Sequence, residues 1–334
     1  MTSDARQRHQ AVVDGLLLPG APGWAHDNYA RLLPPTPNDL QAQTNAAFTD
    51  KWGRYGESDE KERLYAMQRA WYLQLYGFGT EQALAEHLQS CRVVLDAGCG
   101  LGYKAAWFAD LAPSTTVIGV DYSDAAQQAA SAYRDRPNLF FFQGDIAALP
   151  MADGAIDYVS CDQVIMHTQD PDRTFAELAR LTAPTGQFAC YFYAKKALPR
   201  ELLDDYFRVH CRTMTSQDLW AMAEQVTELG RRLDALQVDI DVPAIPALGI
   251  PAGRMSVQRF IYWHFMKCFW NEELGRDTSI ATNFDWYSPS QARRFSKSEV
   301  MELVESNGFR SLTFHQEQAC FSGRFVRSLE CSHE

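Results

Sequence analysis

Three glycines at alternate positions follow a short apolar run, and this pattern constrains the fold more than any other part of the chain. Residues 93–102 read VVLDAGCGLG, so that Asp96 precedes Gly98 by two positions and Gly100 and Gly102 follow. Glycine permits positive φ angles and a close approach of the backbone to a ligand. The helical pattern that comes next offers free N–H groups at its start. The run therefore predicts a strand, a ligand-binding turn and a helix in succession.

Short apolar runs alternate with helical patterns between residues 92 and 195. The predicted strands are 93–95, 117–120, 139–142, 156–160 and 188–193, and the predicted helices begin at about Tyr103, Ser123, Ala147 and Pro171. Such alternation is typical of a parallel sheet with helices on both faces. Ligands of these sheets bind at the carboxyl ends of the strands. We therefore expect an α/β domain with its site at that edge.

Acidic residues stand at the ends of four consecutive predicted strands, namely Asp96, Asp121, Asp145 and Asp162. A carboxylate accepts two hydrogen bonds at once, so an acid after the second strand suits a cis-diol. One aspartate at a strand end is unremarkable, whereas four at one edge are a stronger signal. The pattern predicts a polar ligand at this edge, with Asp121 facing a cis-diol.

The alternation stops after residue 195, which divides the chain. We predict an N-terminal helical cap at 1–90, the α/β core at 91–195, an aromatic-rich helical insertion at 196–295 and the end of the core at 296–334. The insertion shows no obvious strand. Its segment 260–270 is apolar nearly all round, which predicts a helix buried on most sides, and residues 283–287 are interpreted as an aromatic loop. A last helix at 298–307 precedes an antiparallel pair of strands.

Composition limits the partners. The net charge of −11 argues against a nucleic-acid partner, whose phosphates require a basic surface. No apolar run approaches the ~18 residues of a membrane span, and the polar start MTSDARQRHQ does not resemble a signal peptide. We therefore expect a cytoplasmic protein without a membrane partner, and the sequence does not indicate its oligomeric state.

Eight cysteines are scattered without a C-x-x-C pair or zinc spacing, which predicts reduced thiols and no metal.

The glycine spacing carries a family resemblance. A dinucleotide-binding turn has the pattern G-x-G-x-x-G, whereas the G-x-G-x-G run after Asp96 resembles the first motif of class I S-adenosylmethionine (SAM) dependent methyltransferases. The resemblance covers residues 92–193 well and 297–327 more loosely. It implies a Rossmann-like fold with a seven-stranded, mostly parallel sheet, an antiparallel last strand pair, N-terminal helices and SAM as cofactor. The 196–295 insertion would then form an α-helical lid.

The resemblance also implies which residues hold SAM. The amino-acid end of the cofactor would lie against Asp96, Gly98, Gly100 and Gly102. Asp121 would hold the ribose hydroxyls and Tyr122 would pack on adenine. Asp145 and Ile146 would read the adenine amino group and edge. Trp52 lies four residues after Phe48 on one helical face, in a segment that closes over SAM in similar enzymes; a simple core contact is the alternative for it.

The catalytic chemistry is less constrained than the cofactor. Residues 162–171 read DQVIMHTQDP, which resembles the small-molecule methyltransferase pattern with a histidine before an acidic–proline pair. His167 is a candidate general base near neutral pH, and a structural role is the alternative. No Asn-Pro-Pro-Tyr motif is present, which argues against methylation of nucleic-acid bases or protein glutamine. We expect in-line methyl transfer to a small molecule, in secondary metabolism.

The aromatic insertion leaves a second reaction open. Azetidine-2-carboxylate synthases are similar proteins in which the α-amine of SAM attacks its own γ-carbon and methylthioadenosine leaves. That chemistry requires a sealed apolar pocket with polar groups near the amine, for which Asp162, Gln163 and Tyr193 are candidates. A non-catalytic SAM-binding protein is a third hypothesis. Gln163, Tyr193 and His167 are thus the candidate catalytic residues.

Overall fold

The structure is a computed structural model that describes residues 2–32, 37–55 and 58–328. The helices are α1 (Thr2–Asp14), α2 (Asp39–Tyr55), α3 (Lys61–Leu75), α4 (Glu81–Gln89), α5 (Tyr103–Leu111), α6 (Ala125–Ala132), α7 (Pro171–Leu181), α8 (Leu198–Cys211), α9 (Ser216–Asp234), α10 (Val257–His264), α11 (Arg276–Tyr287) and α12 (Lys297–Ser306). The strands are β1 (Tyr29–Arg31), β2 (Val93–Ala97), β3 (Thr116–Asp121), β4 (Leu139–Gln143), β5 (Ile156–Cys161), β6 (Thr182–Tyr193), β7 (Asp239–Val242), β8 (Gly253–Ser256), β9 (Phe309–Gln316) and β10 (Cys320–Arg327). No described helix is long and apolar enough to cross a membrane.

One large sheet organises the molecule, with the strand order β1-β4-β3-β2-β5-β6-β10-β9. Strands β1 to β6 run parallel, and β10 is antiparallel to both β6 and β9. The predicted α/β fold with an antiparallel last pair is confirmed, but the described residues form eight strands of this sheet and not seven. The additional strand is β1, which extends the edge next to β4. Three residues carry too little alternation for a sequence pattern to reveal such a strand.

The central strands are apolar because helices cover both faces of the sheet. All residues of β2 and β4 are buried, and Phe140, Phe141 and Phe142 are consecutive and fully enclosed. Continuous apolar runs of this kind are expected of parallel strands buried on both faces. The helix predicted near Ala147 is absent, because Pro150 and Gly154 interrupt the short connection between β4 and β5 with turns.

The chain forms two compact units. The first comprises the described parts of Met1–Asn38, Gln68–Ala194 and Arg293–Glu334, and the second those of Asp39–Met67 and Lys195–Ala292. The predicted cap at 1–90 is therefore divided between them. Helix α2 belongs to the second unit because its side chains bind residues far along the chain: the Gln43 amide donates to the carbonyl of Ser288, and Lys51 pairs with Asp285 at 3.0 Å. Local sequence patterns do not reveal such partners.

The second unit differs from its prediction in three places. Strands β7 and β8 form an antiparallel pair where no strand was expected. Residues 283–287 are the last turns of α11 rather than a loop. Helix α10 ends at His264 instead of continuing to residue 270. The backbone of Phe269 is instead bonded to Asn283, whose side chain accepts its N–H at 2.8 Å and donates to its carbonyl at 3.0 Å.

Candidate functional site

The glycine turn between β2 and α5 adopts the conformation that only glycine takes easily. The φ angles of Gly98, Gly100 and Gly102 are +80°, +52° and +79°. A Cβ on Gly98 would lie 2.3 Å from a methyl group of Val164, and one on Gly102 would lie 2.8 Å from the Phe141 ring. Side chains are therefore excluded from positions 98 and 102 both by backbone angle and by space.

Asp121 joins the end of β3 to this turn. Its Oδ2 accepts the N–H of Gly100 at 2.8 Å, and its Oδ1 accepts the N–H and the hydroxyl of Ser123 at 2.9 and 2.6 Å. Burial raises the pKa of Asp121, while these hydrogen bonds act in the opposite direction. A carboxylate offers about four acceptor positions, so one of them is left for a ligand hydroxyl. The partly exposed carboxylate is thus held in place beside the turn.

A buried charge network links three of the elements around the site. The ammonium of Lys104, on α5, lies 3.3 Å from Asp96 on β2 and 3.1 Å from Asp162 after β5. The hydroxyl of Tyr76 donates to the other oxygen of Asp162 at 2.8 Å. Asp96 is 0% exposed and Asp162 is 7% exposed. The two carboxylates therefore support the framework of the site, and a direct contact between Asp96 and a ligand stays a prediction.

The electrostatics of this network favour the charged form of Lys104. Burial raises the pKa of Asp96 to about 6, although the nearby Lys104 ammonium lowers it. Burial alone would lower the pKa of Lys104, but the carboxylates of Asp162 and Asp96 outweigh it and raise that pKa well above its ordinary value. Sequence reasoning missed Lys104. The available signal was a lone cation within the apolar stretch 103–109 of α5.

The predicted adenine residues lie together at the ends of β3 and β4. The carboxylate of Asp145 accepts the N–H of Ala147 at 2.9 Å, and Ile146 beside it is buried. Burial raises the pKa of the Tyr122 phenol, and the nearby carboxylate of Asp145 raises it further. The arrangement offers a ring, an apolar side chain and a carboxylate at one edge, as an adenine site requires.

The candidate catalytic residues follow β5 and β6. Gln163 has a φ of +63°, rare for a residue with a side chain, and its amide lies 3.5 Å from Asp162. His167 is buried in a short 3-10 turn and meets the ring of Tyr193 edge to face, with centroids 5.4 Å apart. The structure thus brings Gln163, His167 and Tyr193 into the first unit with the glycine turn.

Trp52 differs from the other predicted cofactor residues in its location. It lies on α2, within the second unit, and its ring is 4.5 Å from the ammonium of Lys51. Lys51 in turn pairs with Asp285. This contact does not distinguish a segment that closes over SAM from a packing role, and the SAM contact of Trp52 stays a prediction.

A parallel sheet with a glycine turn after β2 and acids at the ends of β3 and β4 defines a Rossmann-like nucleoside-binding domain. Residues 95–190 match the family described as "Methyltransferase domain". A "Probable S-adenosylmethionine-dependent methyltransferase" of Mycolicibacterium smegmatis is 38% identical over 102 residues, which are 30% of this chain and 38% of that protein. An uncharacterized methyltransferase of Schizosaccharomyces pombe is 36% identical over 106 residues, 29% of this chain and 38% of that one.

These likenesses identify a segment of the chain. Residues 95–190 form a methyltransferase domain, and the predicted resemblance to SAM-dependent methyltransferases, with SAM as cofactor, is confirmed. The matched region spans only 25–38% of the length of the first curated relatives. Magnesium protoporphyrin IX methyltransferase of Synechocystis is a structural neighbour, with 16% identity over 87% of this chain and all of that one, and a TM-score of 0.46.

The residues present fit this cofactor. The glycine turn lets a ligand approach the backbone, and Asp121 keeps one acceptor position for a ribose hydroxyl. Tyr122, Asp145 and Ile146 supply a ring, a hydrogen-bond acceptor and an apolar edge for adenine.

Proposed function

We propose that this protein transfers the methyl group of SAM to a small-molecule acceptor, of the kind made in secondary metabolism. One observation carries the proposal: the Asp121 carboxylate, bonded to the N–H of Gly100, joins the glycine turn of a methyltransferase domain to the end of β3. The net charge of −11 favours a small acceptor over a nucleic acid. No observation specifically favours the intramolecular cyclisation.

The residues of the chain contribute position more than chemistry. SAM supplies an electrophilic methyl group on its sulfonium. In-line displacement then requires an acceptor held at near-attack distance, which a rigid site provides. The Lys104 ammonium fixes Asp96 and Asp162, so the ends of β2 and β5 keep one relative position. Where the acceptor carries a proton, an imidazole nitrogen of His167 takes it, with the ring oriented against Tyr193.

Product analysis tests the proposal directly. The protein is incubated with SAM alone and with SAM plus a set of small-molecule acceptors, and the nucleoside products are separated by chromatography. We expect S-adenosylhomocysteine to form only when an acceptor is added. Methylthioadenosine together with a new amino acid, formed from SAM alone and absent when the protein is left out, would contradict methyl transfer and support cyclisation. SAM binding without either product, over a broad set of acceptors, would favour the non-catalytic hypothesis.

A matched pair of variants tests whether turnover depends on the site formed by Asp121 and the glycine turn. Asp121→Ala removes the carboxylate that bonds to Gly100 and should abolish product formation. Asp110→Ala removes a carboxylate of the same unit that pairs with Arg136 on the surface, and should retain it. Equal activity of the two variants would contradict the assignment of the site.

A further inference from the structure

Three buried cationic side chains surround one tryptophan in the second unit. The ring centroid of Trp286 lies 4.6 Å from the ammonium of Lys267, 5.1 Å from the guanidinium carbon of Arg200 and 6.0 Å from that of Arg208. Their side chains come from α8, from the segment after α10 and from α11. Lys267 is 9% exposed, Arg208 5% and Arg200 1%. We call these four residues the Trp286 cluster.

Two carboxylates act on Lys267, and each of them already pairs with another cation. Asp204 is fully buried and pairs with Arg200 at 2.7 Å. Asp285 pairs with Lys51 at 3.0 Å. Neither carboxylate therefore forms an ion pair with Lys267, in a place where water screens charges poorly.

Lys267 is the cation of the cluster that lacks an ion pair. Within the described chain, no carboxylate lies inside 4.0 Å of its ammonium, which lies over the face of Trp286. Burial lowers the pKa of Lys267 to about 7; the more distant Asp285 and Asp204 act against this lowering, and Arg200 and Lys196 add to it. A buried cation that lacks a counter-charge costs several kcal/mol, which a bound anion would offset.

Two buried serine hydroxyls without hydrogen-bond partners in the described chain lie in the segment that Arg208 contacts. The guanidinium of Arg208 donates to the carbonyl of Pro289 at 2.7 Å, which places it against the segment 288–290. The hydroxyls of Ser288 and Ser290 in that segment are buried, and neither has a hydrogen-bond partner among the described residues. Gln43 fixes the backbone on both sides of Pro289, because it donates to Ser288 and accepts from Ser290.

We propose that the Trp286 cluster is a binding site for an oxyanion, a phosphate or a carboxylate carried by a small molecule. Guanidinium and ammonium groups bind such oxygens through charge-assisted hydrogen bonds, and serine hydroxyls add neutral donors. The ring of Trp286 offers an apolar surface to the rest of the molecule. The site lies within the second unit, and its existence does not depend on methyl transfer. If the proposed function holds, the site favours a methyl acceptor that carries an anionic group.

Thermal unfolding at about pH 6, below the lowered pKa of Lys267, tests the site in an oxyanion-free bis-Tris chloride buffer. Inorganic phosphate and acetate are the probes, and sodium chloride at matched ionic strength is the control. We expect one or both probes to raise the Tm of the full chain by about 2–4 °C at saturation. The probe that acts distinguishes a phosphate from a carboxylate. No rise with either, or an equal rise with chloride, overturns the proposal.

Two variants test whether the rise in Tm arises at the Trp286 cluster. Lys267→Met should remove the rise and weaken binding of the active probe roughly tenfold or more in calorimetry. Arg231→Met changes an exposed arginine of the same unit that pairs with Glu228, and should keep the rise. Without a probe, Lys267→Met should be at least as stable as the unchanged protein, because an uncompensated charge is removed. A less stable Lys267→Met, or a rise that persists in it, would show that the ammonium is satisfied within the protein and would overturn the proposal.

Discussion

The ammonium of Lys104 lies 3.1 Å from the carboxylate of Asp162, and both side chains are buried. This pair separates the four predicted strand-end aspartates into two kinds. Asp96 and Asp162 are enclosed and share one cation, so they hold β2, β5 and α5 together. Asp121 and Asp145 are partly exposed and accept hydrogen bonds from backbone N–H groups of the neighbouring turns, and their contact with a ligand stays a prediction.

Removal of the shared cation should destabilise the first unit. Lys104→Met leaves two buried carboxylates unpaired, and we expect the free energy of unfolding to fall by about 3–5 kcal/mol. Urea unfolding measures the loss. Arg136→Met is the control, because Arg136 pairs with Asp110 at the surface and its loss should cost under about 1 kcal/mol. Similar losses in both variants would mean that the Lys104 pairs do not hold the site together.

Removal of the ribose acid should weaken SAM binding. Asp121→Ala deletes the acceptor for Gly100 and Ser123 together with the position left for a ligand hydroxyl. We expect the Kd for SAM, measured by calorimetry, to rise at least about tenfold, or 1.4 kcal/mol. Asp110→Ala should bind SAM as the unchanged protein does. Undiminished affinity in Asp121→Ala would refute the ribose assignment.

Two glycines with similar backbone angles allow the cost of backbone strain to be measured separately from the cost of a steric clash. Gly98 and Gly79 have φ angles of +80° and +73°, but a Cβ on Gly79 would meet nothing within 4 Å. We expect Gly79→Ala to cost about 1 kcal/mol from the backbone angle alone. Gly98→Ala should cost about 3 kcal/mol, since the methyl also meets Val164. Chemical denaturation compares them, and equal costs would show that Val164 moves aside freely.

Acid should destabilise the first unit through His87. Burial lowers the pKa of His87 to about 4, with Arg324 adding to the effect. In the unfolded chain the His87 imidazole therefore binds a proton near pH 6.5, whereas in the folded chain it binds one only near pH 4. Stability is complete above pH 6.5 and falls by about 2–3 kcal/mol as the pH drops to 4.

His87→Phe tests this pH dependence. The phenyl ring can keep the edge contact with Tyr158, whose centroid lies 4.8 Å from that of the imidazole, but it does not titrate. Urea unfolding of both proteins between pH 4 and 7 should give a shallower slope for the variant. A slope that is unchanged in His87→Phe would assign the acid sensitivity to other groups.

The sequence predicted the parts of the site that depend on local spacing. The positive φ angles of Gly98, Gly100 and Gly102 were predictable because such angles favour glycine. The position of Asp121 at the end of β3 was predictable because it directly follows an apolar run, whereas its contact with a ribose stays a prediction. Lys104 was missed because its two carboxylates come from other strands, 8 residues before it and 58 residues after it.

The second unit was predicted less well for the same physical reason. Its apolar segment 260–270 satisfies a helical pattern, yet the helix ends at His264 because the side chain of Asn283 binds the backbone of Phe269. The membership of α2 depends on the bonds of Gln43 to Ser288 and Ser290, more than 240 residues away. Spacing rules describe neighbours within a few turns and carry no information about such distant partners.

The division of the second unit into two chain segments has a consequence for biosynthesis. Asp39–Met67 leaves the ribosome long before Lys195–Ala292 exists. At ~5–20 residues per second, α2 waits roughly 10–50 s for the partners of Gln43 and Lys51. During that interval the side of α2 that carries the buried Thr44 and Ala47 is uncovered, and such incompletely packed surface increases the risk of aggregation at high expression. Slower translation would lengthen this exposure.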